Sequence, residues 1–292
     1  RVTISPDPTW VGAQLVGRDG GGRGLGMDFA LMMALEPHGT DVFVGTGPQY
    51  PWGGLYGGQI VAQGLRAAQL TVDDEFVLHS IHAYFIRMGD HTEPVRFEVD
   101  RLRNGRSFCT RRVVARQATG AILNLACSFQ RPEEGSVLQT VVMPDVAGPE
   151  GVDDDSWSPM FERRPALPRG TADQPGAWAG LWMRTPGPVE PSLAHAALAY
   201  LSDDVPTDAV LPQHPEALPG GENHERFMVA SLDHAIWFHR AFDPAEWHLF
   251  DATSQGFGNG RGLSVGHVYS TEGVHVATVT QEVLIRRNRR PG

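Results

Sequence analysis

The stretch Gly57-Gly58-Gln59-Ile60-Val61-Ala62-Gln63-Gly64-Leu65-Arg66-Ala67-Ala68 leaves the chain little choice of architecture. Two glycines open it. Ile60, Val61, Gly64, Leu65 and Ala68 then recur at helical spacing and make one broad apolar face. Few charges interrupt the helix, and its small residues let another backbone come close. Such a helix is expected to be wrapped by a sheet rather than laid on a surface. Its first turn presents unpaired N–H groups and the positive end of the helix dipole. Glycine puts no side chain in the way, so an oxygen can reach those donors. The pair also reads as a plain turn ahead of a core helix, and from this stretch alone the plainer reading stands.

The rest of the chain is read around that helix. Residues 1–26 are rich in Gly, Pro and Arg and read as irregular. Gly20-Gly21-Gly22-Arg23-Gly24-Leu25-Gly26 fits neither G-x-G-x-x-G nor G-K-[ST], so it is taken as a loop rather than a phosphate cradle. Phe29 to Leu35 is expected to be a short helix and Asp41 to Gly45 a strand. After the central helix, Phe76 to Arg87 is a long β candidate. Val95, Phe97 and Val99 alternate with polar residues, and Asn104-Gly105 marks a tight turn into Ser107 to Gln117. Ile122 to Gln130 closes a meander. From Pro132 to about Pro191, prolines, glycines and Asp153-Asp154-Asp155 read as a linker with strand-like pieces such as Trp178 to Arg184. Ser192 is expected to cap a second helix, Leu193 to Leu201, with Pro206 marking its end. Strands are expected over Phe227 to Arg240, Trp247 to Thr253, Leu263 to Ser270 and Val274 to Arg286.

The two halves resemble each other. His82-Ala83-Tyr84-Phe85-Ile86-Arg87 matches His234-Ala235-Ile236-Trp237-Phe238-His239-Arg240 at an offset of about 153 residues. A helix plus a long antiparallel meander, present twice, predicts two α+β units paired sheet to sheet. The expected divisions are 1–131, a linker of 132–190 carrying part of the second repeat, and 191–292.

Composition removes several function classes. The net charge of -10 argues against nucleic acid as a partner. There is no lysine, which excludes both a Schiff-base lysine and a P-loop lysine. No run of 18 apolar residues is present, so no membrane span is expected. The first residues lack the apolar segment of a secretory signal, and Cys109 and Cys127 lack metal-ligand spacing. Two buried thiols in a reducing, cytoplasmic setting are expected.

Several motifs, in order, resemble the type II acyl-CoA thioesterases, the TesB-like family. They are Tyr56-Gly57-Gly58-Gln59, Leu78 through Asp90, Arg103-Asn104-Gly105-Arg106, Ala126-Cys127-Ser128-Phe129-Gln130, Leu232-Asp233-His234-Ala235-Ile236-Trp237 and Thr280-Gln281-Glu282. The resemblance implies a double hotdog: two sheets, each wrapped around a long helix, in one chain. It implies hydrolysis of fatty acyl-CoA by an activated water, in fatty acid metabolism, with no cofactor and no metal. It leaves room for a homo-oligomer of double-hotdog subunits. Carried over residue by residue, it points to Asp203 of the Ser202-Asp203 pair, to Ser231 and to Gln281. Asp204 would replace Asp203 if the register slips by one.

The residues themselves support these roles unevenly. Gln281 shares parity with Val279, Val283 and Ile285, so it faces the apolar side, where an amide must be hydrogen-bonded; a satisfied structural amide is the plainer reading. Ser231 lies in a strand whose faces are not distinguishable. Asp203 at a helix C-terminus opposes the dipole, which with burial raises its pKa and improves it as a base; a solvated helix-end carboxylate is the alternative. The backbone N–H of Gly58 is the expected oxyanion donor. Ser264 in Gly262-Leu263-Ser264-Val265-Gly266 matches the nucleophile-elbow pattern but is followed by strand, so it is taken as chance. His79, His82, His234 and His239 receive no catalytic role. Arginines of residues 86–117 are candidates for CoA phosphates or a plain solvated face. A silent acyl-CoA-binding protein and a hotdog hydratase are the competing readings; no Gly-Asp-x-Asn-Pro-x-His segment supports the latter.

Overall fold

The computed structural model describes residues 28–169, 178–218 and 223–288. The glycine-rich loop expected within residues 1–26 lies outside them. A short helix α1 (Phe29–Met32) is capped by Asp28, whose Oδ1 accepts from the Leu31 N–H. Two short strands, β1 (Glu36–Pro37) and β2 (Val42–Gly45), precede the long helix α2 (Gly57–Gln69). Then come β3 (Val77–Phe85), β4 (Val95–Asn104), β5 (Phe108–Gln117) and β6 (Gly120–Gln130). Gly105 N–H donates to Phe108 O and closes the expected tight turn. Val95, Phe97 and Val99 all face the core, as their alternation requires.

Apolar burial explains why α2 sits where it does. Ile60, Val61, Ala62, Leu65, Ala67 and Ala68 are buried, and so are the polar Gln59 and Gln63. A helix covered on all sides needs its amides satisfied internally. Gln63 accordingly donates to the carbonyls of Met32 and Thr46.

The segment read as a linker adds strands to the second sheet. β7 (Glu162–Pro165) pairs with β8 (Trp178–Arg184), and β8 pairs with a strand of the second meander. The second helix, α3 (Ala194–Ser202), begins after a 3-10 turn over Pro191–Leu193 and has no side-chain cap. Ser192 is therefore not its N-cap: Pro191, lacking an N–H, opens the turn instead. Nor does Pro206 end α3. That helix stops at Ser202, and Pro206 sits in the first turn of α4 (Val205–Val210), where its missing donor costs nothing. A four-residue α5 (Asn223–Arg226) follows.

The stretch expected as one strand from Phe227 to Arg240 is two: β9 (Phe227–Ser231) and β10 (Asp233–Phe238). Both pair with the last strand of β11 (His248–Gly258), β12 (Arg261–Ser270) and β13 (His275–Arg287). Val283 faces Ser231 and Thr280 faces Ala235, so the β9–β10 side holds one residue more than β13 over the same span. This is a bulge, and Leu232 sits in it, with its N–H on Glu282 O and its carbonyl on Phe85 N–H.

The halves join edge to edge. β3 and β10 pair antiparallel, with Ala83 opposite His234 and Ile81 opposite Ile236, producing one 13-stranded sheet among the described residues. α2 and α3 lie together within it, and the architecture is a double hotdog. No helix among the described residues is long and apolar enough to cross a membrane.

Candidate active site

The first turn of α2 meets the last turn of α3. A Cβ on Gly58 would stand 2.4 Å from Tyr200 O, and one on Gly57 would stand 2.5 Å from Asp203 Oδ2. Both distances are shorter than any real Cβ contact, so only glycine permits this approach. Tyr56, immediately before, donates its hydroxyl to Tyr200 O at 2.9 Å and so satisfies a carbonyl at the end of α3.

Asp203 sits at this junction and is 6% exposed. Its Oδ2 accepts from the Gly58 N–H at 2.9 Å, and its Oδ1 accepts from Ser231 Oγ at 3.0 Å. Gln281 Nε2 donates to Ser231 Oγ at 2.8 Å. The three side chains singled out from the sequence thus stand together, with the glycine pair of the other half facing them. Gln281 is fully buried on the face its parity indicates. Burial pushes the Asp203 carboxyl up to about 7, against the opposing hydrogen bonds from Ser231 and Gly58. The Gly58 N–H, expected to face an oxyanion, donates here to the carboxylate itself.

The neighbouring Asp204 points elsewhere. Arg163 Nε reaches its Oδ2 at 2.7 Å and Trp157 Nε1 reaches its Oδ1 at 2.7 Å. Arg163 also holds Asp208 and Asp155. Both oxygens of Asp204 are committed to a segment that the sequence reading treated as linker. This separates the two adjacent aspartates: one is tied into an ion cluster, the other faces the hydroxyl and amide.

One residue that was given no role from sequence joins this site. His234 is fully buried, with Nδ1 2.5 Å from Gln281 Oε1 and Nε2 2.9 Å from Ser202 Oγ. Desolvation pushes its pKa down to about 4, so the ring is neutral at pH 7. The available signal was its parity with Ile236, which puts a histidine on an apolar face. The bulge hid its link to Ser231: the two are an odd number of residues apart, and a regular strand would send them to opposite faces.

Most of the candidate arginines are engaged. Arg96 and Arg116 share Glu98, Arg101 pairs with Asp41, and Arg112 with Asp100. Arg111 is only 2% exposed and cannot reach a ligand at the surface. Ser264 is buried on β12, which runs on as strand beyond it, so no strand-to-helix elbow is present.

Comparison with known proteins supplies the remaining observations. Residues 47–130 match the family described as acyl-CoA thioesterase N-terminal domain, and residues 139–285 match acyl-CoA thioesterase C-terminal domain. "Acyl-CoA thioesterase 2" of Haemophilus influenzae is 33% identical over 280 residues, covering 87% of this chain and 96% of that protein. Human "Acyl-coenzyme A thioesterase 8" is 32% identical, covering 87% and 88%. The crystal structure of an acyl-CoA thioesterase II, TesB2, from Mycobacterium marinum superposes with a TM-score of 0.76 at 33% identity, covering 89% of this chain and 98% of that one.

Proposed function

The chain belongs to the acyl-CoA thioesterase family, and from that membership we propose that Asp203 activates a water to hydrolyse fatty acyl-CoA. The reading rests above all on one observation: a buried carboxylate with a pKa near 7 receives hydrogen bonds from Ser231 and from the start of α2 in the opposite half. A base poised near the working pH transfers protons most efficiently.

Water attacks the thioester carbon while Asp203 takes its proton. Ser231 and Gln281 hold the water in line. As the carboxylate becomes neutral its pull on the Gly58 N–H weakens, and that fixed donor is left to the oxyanion forming at the same moment. A donor free and aimed at the oxyanion in advance contributes about 3–4 kcal/mol to the transition state; one that holds Asp203 at rest contributes less. The tetrahedral intermediate then collapses, the C–S bond breaks, and Asp203 returns its proton to the departing CoA sulfur. The products are a carboxylic acid and CoA thiol.

No metal or cofactor enters these steps. Two free, buried thiols, Cys109 and Cys127, support a reducing cytoplasmic setting. Thiol release from a series of acyl-CoAs, with wild type beside Asp203→Asn, tests the reading. Release abolished by the substitution supports it. Unchanged release overturns the base. Binding without release on any chain length favours a silent acyl-CoA-binding protein, and loss of an enoyl-CoA double bond without thiol release favours a hydratase.

A further inference from the structure

The Asp203–Ser231–Gln281 group does not end at Gln281. It continues through His234 to Ser202, which is the residue next to Asp203 in the chain. The line of contacts therefore leaves α3 at Asp203, crosses β9, β13 and β10, and returns to α3 one residue earlier. Gln281 and His234 are both fully buried, and Ser202 is 2% exposed.

Donor chemistry gives this loop a direction. An ionised Asp203 only accepts, so Ser231 must donate to it. Ser231 has one proton, and having given it to Asp203 it must accept from Gln281. Gln281 then turns its NH2 to Ser231 and its carbonyl to the imidazole. A carbonyl needs a donor, so His234 carries its proton on Nδ1 and leaves Nε2 to accept from the Ser202 hydroxyl at 2.9 Å, a shorter contact than the 3.3 Å from that hydroxyl to the Ala199 carbonyl. Every proton along the line points towards Asp203.

A reversed line is self-consistent once Asp203 is protonated. With Gln281 flipped, its carbonyl would draw the Ser231 proton away from Asp203, and its NH2 would face an unprotonated Nδ1. The two amide orientations have nearly the same shape, so sterics do not choose between them. The tautomer of His234 does.

We propose that His234, held in its Nδ1–H form by Ser202, is a positioning residue that locks the Gln281 amide so that Ser231 donates to Asp203. The proposal rests on the reading of Asp203 as the base and adds the device that keeps that base ready. The side-chain bonds of His234 go to Gln281 and Ser202, one step behind the Ser231–Asp203 pair, so its loss is expected to act on kcat and leave KM unchanged. Among the described residues, Asp204 and Tyr56 also face Asp203 electrostatically, and Arg163 neutralises Asp204.

The test compares His234→Leu and His234→Asn over a pH range. Leucine removes the donor. The asparagine amide places an N–H where Nδ1 stood. With leucine the acidic limb of the kcat profile moves to higher pH by about one unit, since a carboxylate that loses a hydrogen bond protonates more readily. Activity at pH 6.5 falls about ten-fold, with most of it regained at pH 9. Asparagine recovers most of the loss. An acidic limb unmoved by leucine, or asparagine no better than leucine, overturns the proposal. Imidazole 15N spectra of the wild-type protein check it without any variant: a His234 protonated on Nε2 instead of Nδ1 also overturns it. Asp203→Asn separates the two levels. If that variant is inactive while leucine at 234 leaves the limb in place, only the positioning role fails. If it stays active, the base itself fails.

Discussion

The two central helices end in opposite ways. At the end of α2, Arg111 of β5 reaches in and donates to Thr71 Oγ1 and Thr71 O, and further to Asn104 Oδ1 and the Arg103 and Thr110 carbonyls. All its acceptors are neutral, and a cation stands where the helix dipole favours one. At the end of α3 stands Asp203, an anion where the dipole opposes one. The first helix is closed with the charge that stabilises it, the second with the charge that does not. Asp203 is tolerated because the positive end of α2 comes from the other half to meet it. A carboxylate held by its neighbour's helix rather than its own is kept close to proton exchange, whereas Arg111 is a buried brace.

If that contrast is right, substitutions at the two helix ends separate chemistry from stability. The largest effect is expected at Asp203. Asp203→Asn should lower kcat by roughly a thousand-fold, within the range for loss of a general base, measured by thiol release. The same variant should change how stability depends on pH. The folded carboxyl titrates near 7 against 3.8 unfolded, so between those values the folded state binds a proton the unfolded state lacks. Stability contributed by the neutral acid is complete below about pH 4 and is lost as pH rises through 7. Urea titrations at pH 5 and 8 should show wild type losing up to about 3 kcal/mol that Asp203→Asn does not lose.

Arg111→Met should do the reverse. It strands several buried acceptors and should cost about 3 kcal/mol in urea unfolding, while kcat per folded molecule stays within a few-fold. A large fall in kcat with full stability would erase the contrast between the two helix ends.

Gly57→Ala should be smaller and fall on both chemistry and stability. The added methyl meets Asp203 Oδ2 and the Phe85 ring and must push the carboxylate or the helix aside. A roughly thirty-fold loss of kcat, about 2 kcal/mol, is expected beside a loss of about 1 kcal/mol in urea unfolding. Tyr56→Phe should be the mildest. Losing its bond to Tyr200 O should cost about 1 kcal/mol by thermal or urea unfolding, with little change in rate.

Much of this was legible in the residues. The parity of Gln281 with Val283 and Ile285 placed it in the core, and the Gly57-Gly58 pair left room for a close approach although by itself it read as a plain turn. Other features left no local trace. The bulge at Leu232 changes which residues share a face, and neither Ser231 nor His234 has a neighbour that reports it. The Ser192 cap failed because Pro191 starts a 3-10 turn that the helix follows. Arg163 lies far in sequence from Asp204, inside a stretch whose prolines and glycines read as a linker.

Periodicity and residue size are properties of a segment, and they determined the covered helix, the meanders and their duplication. A hydrogen bond needs two groups within about 3 Å at a set angle, and here the partners lie on different helices and strands. Only packing α2 against α3, and pairing β3 with β10, could decide that one half's helix start faces the other half's carboxylate. Only the extra residue at Leu232 could turn Ser231 and His234 to the same side of the sheet.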